Sequence, residues 1–219
     1  QIAKEFDIDP YDEHTGKGVL RHIIGRIGQS GWMIILVTAT EQLPHKEKWV
    51  EKLTERIPQV ETIVHNVNGK RTNVILGPKN NILYGDGMIT DHIKDLRFTL
   101  SPHSFFQVNP EQTTVLYDQA LTYADLIGDE TVIDAYCGTG TISLFLAHKA
   151  KHVIGIEIVE PAIINARENA RNNGYDNTEF IVADAAVEMP KLYKAGVRPD
   201  VIVFDPIRAG CKEEVLTSA

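Results

Sequence analysis

Apolar residues along this chain follow two different rhythms. In the first, GVLRHIIGRIG (18–28) and GWMIILVTAT (31–40) flank the link GQSG, which predicts two strands and a short hairpin turn. PHKEKWVEKLTERI (44–57) places Trp49, Val50, Leu53 and Ile57 at i, i+1, i+4 and i+8, one face of a helix. ETIVHNV (61–67) predicts a strand that ends in an Asn68-Gly69 turn. NILYGD (81–86) and LRFTLSP (96–102) predict two more strands. The polar, acidic first 17 residues predict an irregular terminus. Residues 1–95 therefore read as a small α+β domain, and residues 96–109 as a linker.

From residue 110 the rhythm changes. PEQTTVLYDQALTYADLI is helical, with Pro110 in the tolerated first turn and Asn109 before it as a cap. Strand-like TVIDAY, HVIGIEI, TEFIVAD and DVIVFD then alternate with helix-like TISLFLAHKA, PAIINARENARNNG and AVEMPKLYKAG; Gly174 closes the second of these helices. A βαβαβαβ order with nearly all-apolar strands predicts an α/β, doubly wound parallel sheet covered on both faces over residues 110–219.

Composition adds bounds. The chain has 219 residues, 43% of them hydrophobic and 24% charged, enough for one large or two small domains. No apolar run approaches the ~20 residues of a membrane span. The chain begins with Gln1, without a signal-peptide pattern, so a processed or excised chain is expected. Two cysteines make neither a disulfide framework nor a metal or iron–sulfur cluster, which points to a reducing, cytoplasmic setting. Charge says more. Residues 1–100 are neutral overall, whereas residues 101–219 carry the whole net charge of −8. That asymmetry favours two domains. The acidic total argues against generic nucleic-acid binding and leaves room for a local basic surface on the first half.

Candidate chemistry gathers at the strand ends. In VIDAYCGTGTIS (132–143) a strand ends in Asp134 and enters a tight turn through Gly138 and Gly140. Glycine lets backbone approach a ligand closely. Glu157 ends the next strand, where a carboxylate accepts both hydroxyls of a ribose. Asp184 ends the third, beside an adenine edge. Three acids in register predict a nucleoside crevice, for either NAD or S-adenosylmethionine. A pyrophosphate prefers G-x-G-x-x-G and amides free of negative charge. Here Asp134 enters the turn, and an acid suits a cationic amino group, so the sulfonium cofactor is favoured.

Two further stretches flank this crevice. SPHSFFQVNP (101–110) joins the two halves and presents Gln107, whose amide donates and accepts at once. Phe105 and Phe106, taken singly, read as packing. FDPIRAG (204–210) puts Asp205 at the fourth strand tip, with Pro206 fixing the turn and Arg208 holding it or meeting a phosphate. Ile207 stands where exocyclic-amine methylases carry an aromatic, which counts against that chemistry.

FFQVNP, DAYCGTGTISL, VIGIEIVEPAIINARENARNNG and DPIRAG together resemble the RNA uracil-5-methyltransferases, S-adenosylmethionine enzymes that make 5-methyluridine in 23S rRNA or tRNA. The likeness spans residues ~98–216, and GKGVLRHIIGRIG is similar to the central domain that these enzymes place upstream. The resemblance implies a class I, Rossmann-like methyltransferase fold. It implies cofactor contacts at Gln107, Tyr136, Glu157 and Asp205, with Thr141 and Asp184 flanking, and puts Gln107 and Asp205 against the target uracil. It favours 23S rRNA over tRNA, because a separate upstream domain occurs in the ribosomal branch. Family members carry an N-terminal RNA-binding barrel, and some a four-Cys iron–sulfur site; neither is matched here. The family's nucleophilic Cys in Ser-Cys-Asn-Pro and its Glu base lie beyond the fourth strand, and neither motif occurs in this chain. The expectation is a cofactor domain lacking its last strands and inactive alone. In the family's reaction a thiolate adds to uracil carbon 6, carbon 5 takes the methyl group, and a base removes the carbon-5 proton from a flipped-out nucleotide.

Cys137, inside the turn, and Cys211, after the strand tip, read as structural rather than nucleophilic. Arg21, His22 and Arg26 fit RNA-phosphate contacts and a solvated strand face equally well. A nicotinamide oxidoreductase on the same fold and a non-catalytic RNA-binding module remain the rival readings.

Overall fold

A computed structural model describes residues 1–107, 109–208 and 210–219, with Pro110 described by its backbone alone. Val108 of FFQVNP and Ala209 of DPIRAG lie outside the described residues. The chain divides into two compact units, Gln1–Asp91 and His92–Ala219.

The first unit is a mixed four-stranded sheet. β1 (Leu20–Ile27) pairs antiparallel with β2 (Trp32–Thr38), and α2 (Lys46–Arg56) crosses to the parallel β3 (Val60–Val67). β4 (Lys79–Tyr84) returns antiparallel to β3, giving the order β1-β2-β3-β4. β2 and β3 are buried along almost their whole length, whereas β1 and β4 alternate, as edge strands do. The helix face read from the sequence is the packed one: Trp49 and Leu53 are buried with Ile34, Leu36 and Ile63, and Val50 and Ile57 lie against them.

Three expectations need correction here. The terminus is irregular over residues 6–19 but not frayed: a short α1 (Ile2–Glu5) forms, and Ile2 and Ile8 are buried in the same core. Two isoleucines suffice to anchor a segment that is otherwise polar. The Asn68-Gly69 pair does not make a tight hairpin, because residues 68–78 separate β3 from β4. Asn68 is buried, and its side-chain amide donates to the Val74 and Ile75 carbonyls at 2.7 and 3.0 Å. Asn66 clasps the far end, accepting from the Gly77 N–H and donating to its carbonyl. Finally, Arg21 is not open to a phosphate. Its side chain is 1% exposed, donates to the carbonyls of Asn68 and Lys70, pairs with Glu13 at 2.7 Å and lies over Tyr11.

β5 (Ile89–Ile93) and β6 (Leu96–Leu100) form a two-stranded ladder, and the division between the units falls within β5. Neither β5 nor the last helix, α7 (Glu213–Thr217), was expected from the sequence.

The second unit carries the doubly wound sheet. α3 (Pro110–Ala124) leads into β7 (Thr131–Asp134), α4 (Thr141–Ala147), β8 (His152–Glu157), α5 (Glu160–Asn172), β9 (Thr178–Val182), α6 (Ala185–Lys194) and β10 (Val201–Val203). All four strands are parallel, in the order β10-β7-β8-β9. Alternate residues serve opposite faces. Val132 and Val153 join Leu126, Leu146 and Ala147 in one core, whereas Ile133 and Ile154 join Ala185, Met189 and Val215 in another. That alternation is why the strands read as continuous apolar runs. Asn109 caps α3 by accepting from the Gln112 N–H at 3.2 Å, and Gly174 takes φ +74° just past α5. The order reverses between β7 and β10, which puts a crevice at the carboxyl ends of the strands.

Candidate functional site

The turn after β7 is built on two glycines with different duties. Gly138 has φ +53°, and a Cβ built there would meet nothing within 4 Å, so its open side faces free space. Gly140 has φ +81°, and a Cβ there would lie 3.1 Å from both Ala166 Cβ and Phe180 Cζ. One glycine leaves room for a ligand; the other lets the turn press against the protein. Gly155 plays the same close-packing part beside Cys137 and Phe180.

Asp134 does not reach the crevice as expected for a partner of a cationic amino group. It is fully buried, with Oδ2 accepting from Ser143 Oγ at 2.6 Å and Oδ1 unpartnered among the described residues. Burial pushes its carboxyl up to about 6, with the nearby Asp205 and Glu157 charges adding to the shift while Ser143 and the Tyr136 amide offset part of it. Its role is to hold the turn from behind. Cys137 is buried too, and burial drives its thiol well above the usual range, followed by the Asp134 and Glu157 charges. A thiol so placed is no nucleophile.

Tyr136, Glu157 and Asp184 come together around a pocket of about 300 Å³ whose other side is formed by Ile207, Gly210, Cys211 and Lys212. Glu157 is half-buried at the end of β8, and its Oε1 accepts from the Val159 N–H at 2.9 Å. Burial, with the Cys211 thiol beside it, pushes the Tyr136 hydroxyl up to about 12. Asp184 is more committed than its position suggested. Its Oδ1 caps α6 through the Ala186 N–H at 3.0 Å, and its Oδ2 accepts from Lys212 Nζ at 2.6 Å. Lys212, then Ala186, hold its carboxyl below the usual range. Nothing in the sequence pattern signalled Lys212, since the contact depends on how the chain turns back after β10.

Asp205 follows β10 by two residues and is exposed; the ladder ends earlier than DVIVFD predicted, at Val203 opposite Asp134. Thr141 opens α4, and its Oγ1 lies 3.0 Å from the Tyr117 hydroxyl. Tyr117, on α3, is a residue that sequence reasoning missed. It is buried edge-on against Phe145, with the Gln107 side chain near its hydroxyl. Burial raises its ionisation above the usual phenol, while the Asp205 and Asp134 charges add to the rise. Tyr117 thus places its hydroxyl between Gln107 and the start of α4, within reach of the Asp205 charge. Gln107 itself borders a groove of about 450 Å³ along α3, with Thr113, Val115 and Leu116. Phe106 packs on Phe98, as expected of an interior ring, but Phe105 is 71% exposed and packs little.

The donor set suits a nucleoside: acceptor carboxylates at two strand ends, an aromatic wall and an open glycine turn. Among the described residues no group of three or more His, Cys, Asp or Glu could hold a metal ion, and no helix is long and apolar enough to cross a membrane.

Known proteins bear on this arrangement. Residues 128–217 match the model of a methyltransferase domain. The chain is similar to an uncharacterized RNA methyltransferase of Halalkalibacterium halodurans, 55% identical over 99% of this chain and 48% of that protein. One from Oceanobacillus iheyensis is 52% identical, again over 99% and 48%. The chain therefore spans about half the length of the curated relatives it matches. Among solved structures it resembles the Pyrococcus abyssi tRNA (uracil-54, C5)-methyltransferase in complex with S-adenosyl-L-homocysteine, with 26% identity and a TM-score of 0.76 over 99% of this chain and 51% of that one. The doubly wound sheet has the class I methyltransferase fold.

Proposed function

We propose that this chain forms the cofactor and substrate-facing part of an S-adenosylmethionine-dependent methyltransferase acting on carbon 5 of uracil in RNA. The observation that carries the reading is the pocket framed by Tyr136, Glu157 and Asp184 beside the open Gly138 turn. Its support is the likeness to a uracil-C5 enzyme solved with S-adenosylhomocysteine.

When bound, S-adenosylmethionine supplies an electrophilic methyl group. Glu157 accepts from the ribose hydroxyls, its carboxylate aimed by the Val159 N–H. Tyr136 walls the nucleoside, and Asp184 receives an adenine amino hydrogen when it exchanges Lys212 for it. Gln107 and Asp205 orient the uracil, the Asp205 carboxylate accepting from its ring N–H and the Gln107 amide donating to its carbonyl. The exposed Phe105 ring offers a stacking surface for a base that has left the helix. Neither Cys137 nor Cys211 supplies the attacking thiolate. Cys137 is buried behind the turn, and Cys211 packs beside Tyr136 around the core under α6.

Calorimetry on the intact protein tests the site. S-adenosylhomocysteine should bind and NAD should not; the reverse would favour an oxidoreductase. Binding of RNA without either ligand would favour a non-catalytic module. For the target, 23S rRNA is the first expectation, from the sequence resemblance. A tRNA target is the second, favoured by the activity named for the Pyrococcus abyssi protein. Mapping 5-methyluridine in transcripts of each after incubation separates them.

A further inference from the structure

Helix α5 and its C-cap place three asparagines four residues apart, Asn165, Asn169 and Asn173, on one face. Asparagine is a mediocre helix former, so three in register need a reason. Asn165 and Asn169 are buried. All three side chains bind the segment that runs from β6 toward Gln107. Asn173 accepts from the Arg97 N–H at 2.9 Å and donates to the Arg97 carbonyl at 2.7 Å. Asn169 accepts from the Thr99 N–H at 2.8 Å. Asn165 donates to Ser104 Oγ at 2.7 Å and to Ser101 Oγ at 3.1 Å, and Ser104 Oγ in turn accepts from the Ser101 N–H.

Asn169 does one thing the other two do not. Its Nδ2 donates to the carbonyl of Thr139, in the glycine turn, at 3.2 Å. A single buried amide therefore holds the turn with its donor and β6, which leads into the Gln107-bearing segment, with its acceptor. Only an amide does both here. A carboxylate would repel the Thr139 carbonyl, and an aliphatic side chain would leave two backbone groups buried without partners. A second, longer link runs the same way, from Thr139 Oγ1 to the Phe105 carbonyl at 3.5 Å.

We propose that Asn169 is a positioning residue that couples the glycine turn to residues 99–107, so that a nucleoside seated at the turn orders the segment presenting Phe105 and Gln107. The ligand half of this statement rests on the cofactor reading above; the coupling itself does not. Hydrogen exchange on the intact protein tests both. Without ligand, Asn169→Ala should speed exchange at residues 138–141 and at 99–106 together, about tenfold for the lost bonds. Asn173→Ala, which spares the Thr99–Asn169–Thr139 link, should speed exchange at Arg97 alone. Asn169→Ala speeding only one of the two segments, or neither, would overturn the coupling. With S-adenosylhomocysteine, the wild type should slow in both segments and Asn169→Ala in the turn alone. Slowing of both segments in Asn169→Ala would also overturn it, since a merely structural asparagine leaves the ligand-induced increment intact. Asn169→Asp serves if the alanine variant does not fold, because it keeps the Thr99 acceptor and replaces the Thr139 bond with repulsion; the same ligand increment should then be confined to the turn. A wild type that does not bind S-adenosylhomocysteine would sink the cofactor reading, and the ligand-free comparison would still decide the coupling.

Discussion

Both units contain a parallel β-α-β crossover and both bury polar side chains, yet they use them differently. In the first unit, Arg21, Asn66 and Asn68 are spent on backbone: each satisfies carbonyls or amides of the long β3–β4 connection. In the second, Glu157, Asp205 and Gln107 stand at or beyond strand ends, half-buried or exposed. Polar groups that close a loop have their partners inside the chain. Polar groups left at the carboxyl ends of a parallel sheet are available to something else. The interior asparagines of α5 belong to the first kind but sit in the second unit, where they support the groups of the second kind.

The contrast can be broken at several points. The largest effect should come from Arg21→Ala, which takes the donor from the part-buried Asn68 carbonyl and empties the space that the 1%-exposed side chain fills beside Tyr11. About 2–4 kcal/mol of stability should go, read by denaturant unfolding, while S-adenosylhomocysteine affinity stays unchanged. A loss of affinity without a loss of stability would put Arg21 in a binding role after all.

Asp134 gives a pH signature. Its folded-state carboxyl is raised from 3.8 to about 6, so the folded protein holds a proton that the unfolded chain has lost between those values. Stability from this group is therefore present at low pH and lost as pH rises through about 6, by up to about 3 kcal/mol. Asp134→Asn has no such loss, so the wild-type advantage over the variant should shrink from pH 4 to pH 7. Parallel melting curves across that range would show that the carboxyl is not protonated in the fold.

Glu157→Ala should weaken S-adenosylhomocysteine binding tenfold or more, since charge-assisted bonds contribute about 1.5–3 kcal/mol, and should leave the melting temperature nearly unchanged. A smaller effect is expected from Phe105→Ala, whose exposed ring carries no core packing. RNA affinity should drop roughly five- to tenfold for one lost stacking contact, with cofactor affinity intact. An equal loss of both would make Phe105 part of the cofactor site.

How much of this was legible depends on where each residue finds its partners. The four parallel strands and the caps at Asn109 and Gly174 could be read because apolar runs and cap residues are local signals. The place of Glu157 and Asp184 at strand ends could be read because strand ends recur at regular spacing. What escaped was decided at a distance. Ile2 and Ile8 turn a polar terminus into part of a core, and Val215 does the same for α7. Asn-Gly is a strong hairpin signal, but Asn68 spends its side chain on a wider loop. An arginine on an alternating strand looks solvated until the carbonyls it binds, 47 and 49 residues away, are seen. The hold of Lys212 on Asp184 and the place of Tyr117 between Gln107 and Thr141 are of the same kind.

On the proposed reading, the crevice delivers a methyl group to carbon 5 of uracil in RNA. That transfer is tested most directly by incubating the intact protein with S-adenosylmethionine labelled in its methyl group and with unmodified 23S rRNA and tRNA transcripts, then digesting the RNA to nucleosides. Label should appear in 5-methyluridine alone, with a strong loss of that label in Glu157→Ala at limiting cofactor. Label in a methylated purine or cytidine, or none in RNA while the cofactor binds, would contradict the proposed reading.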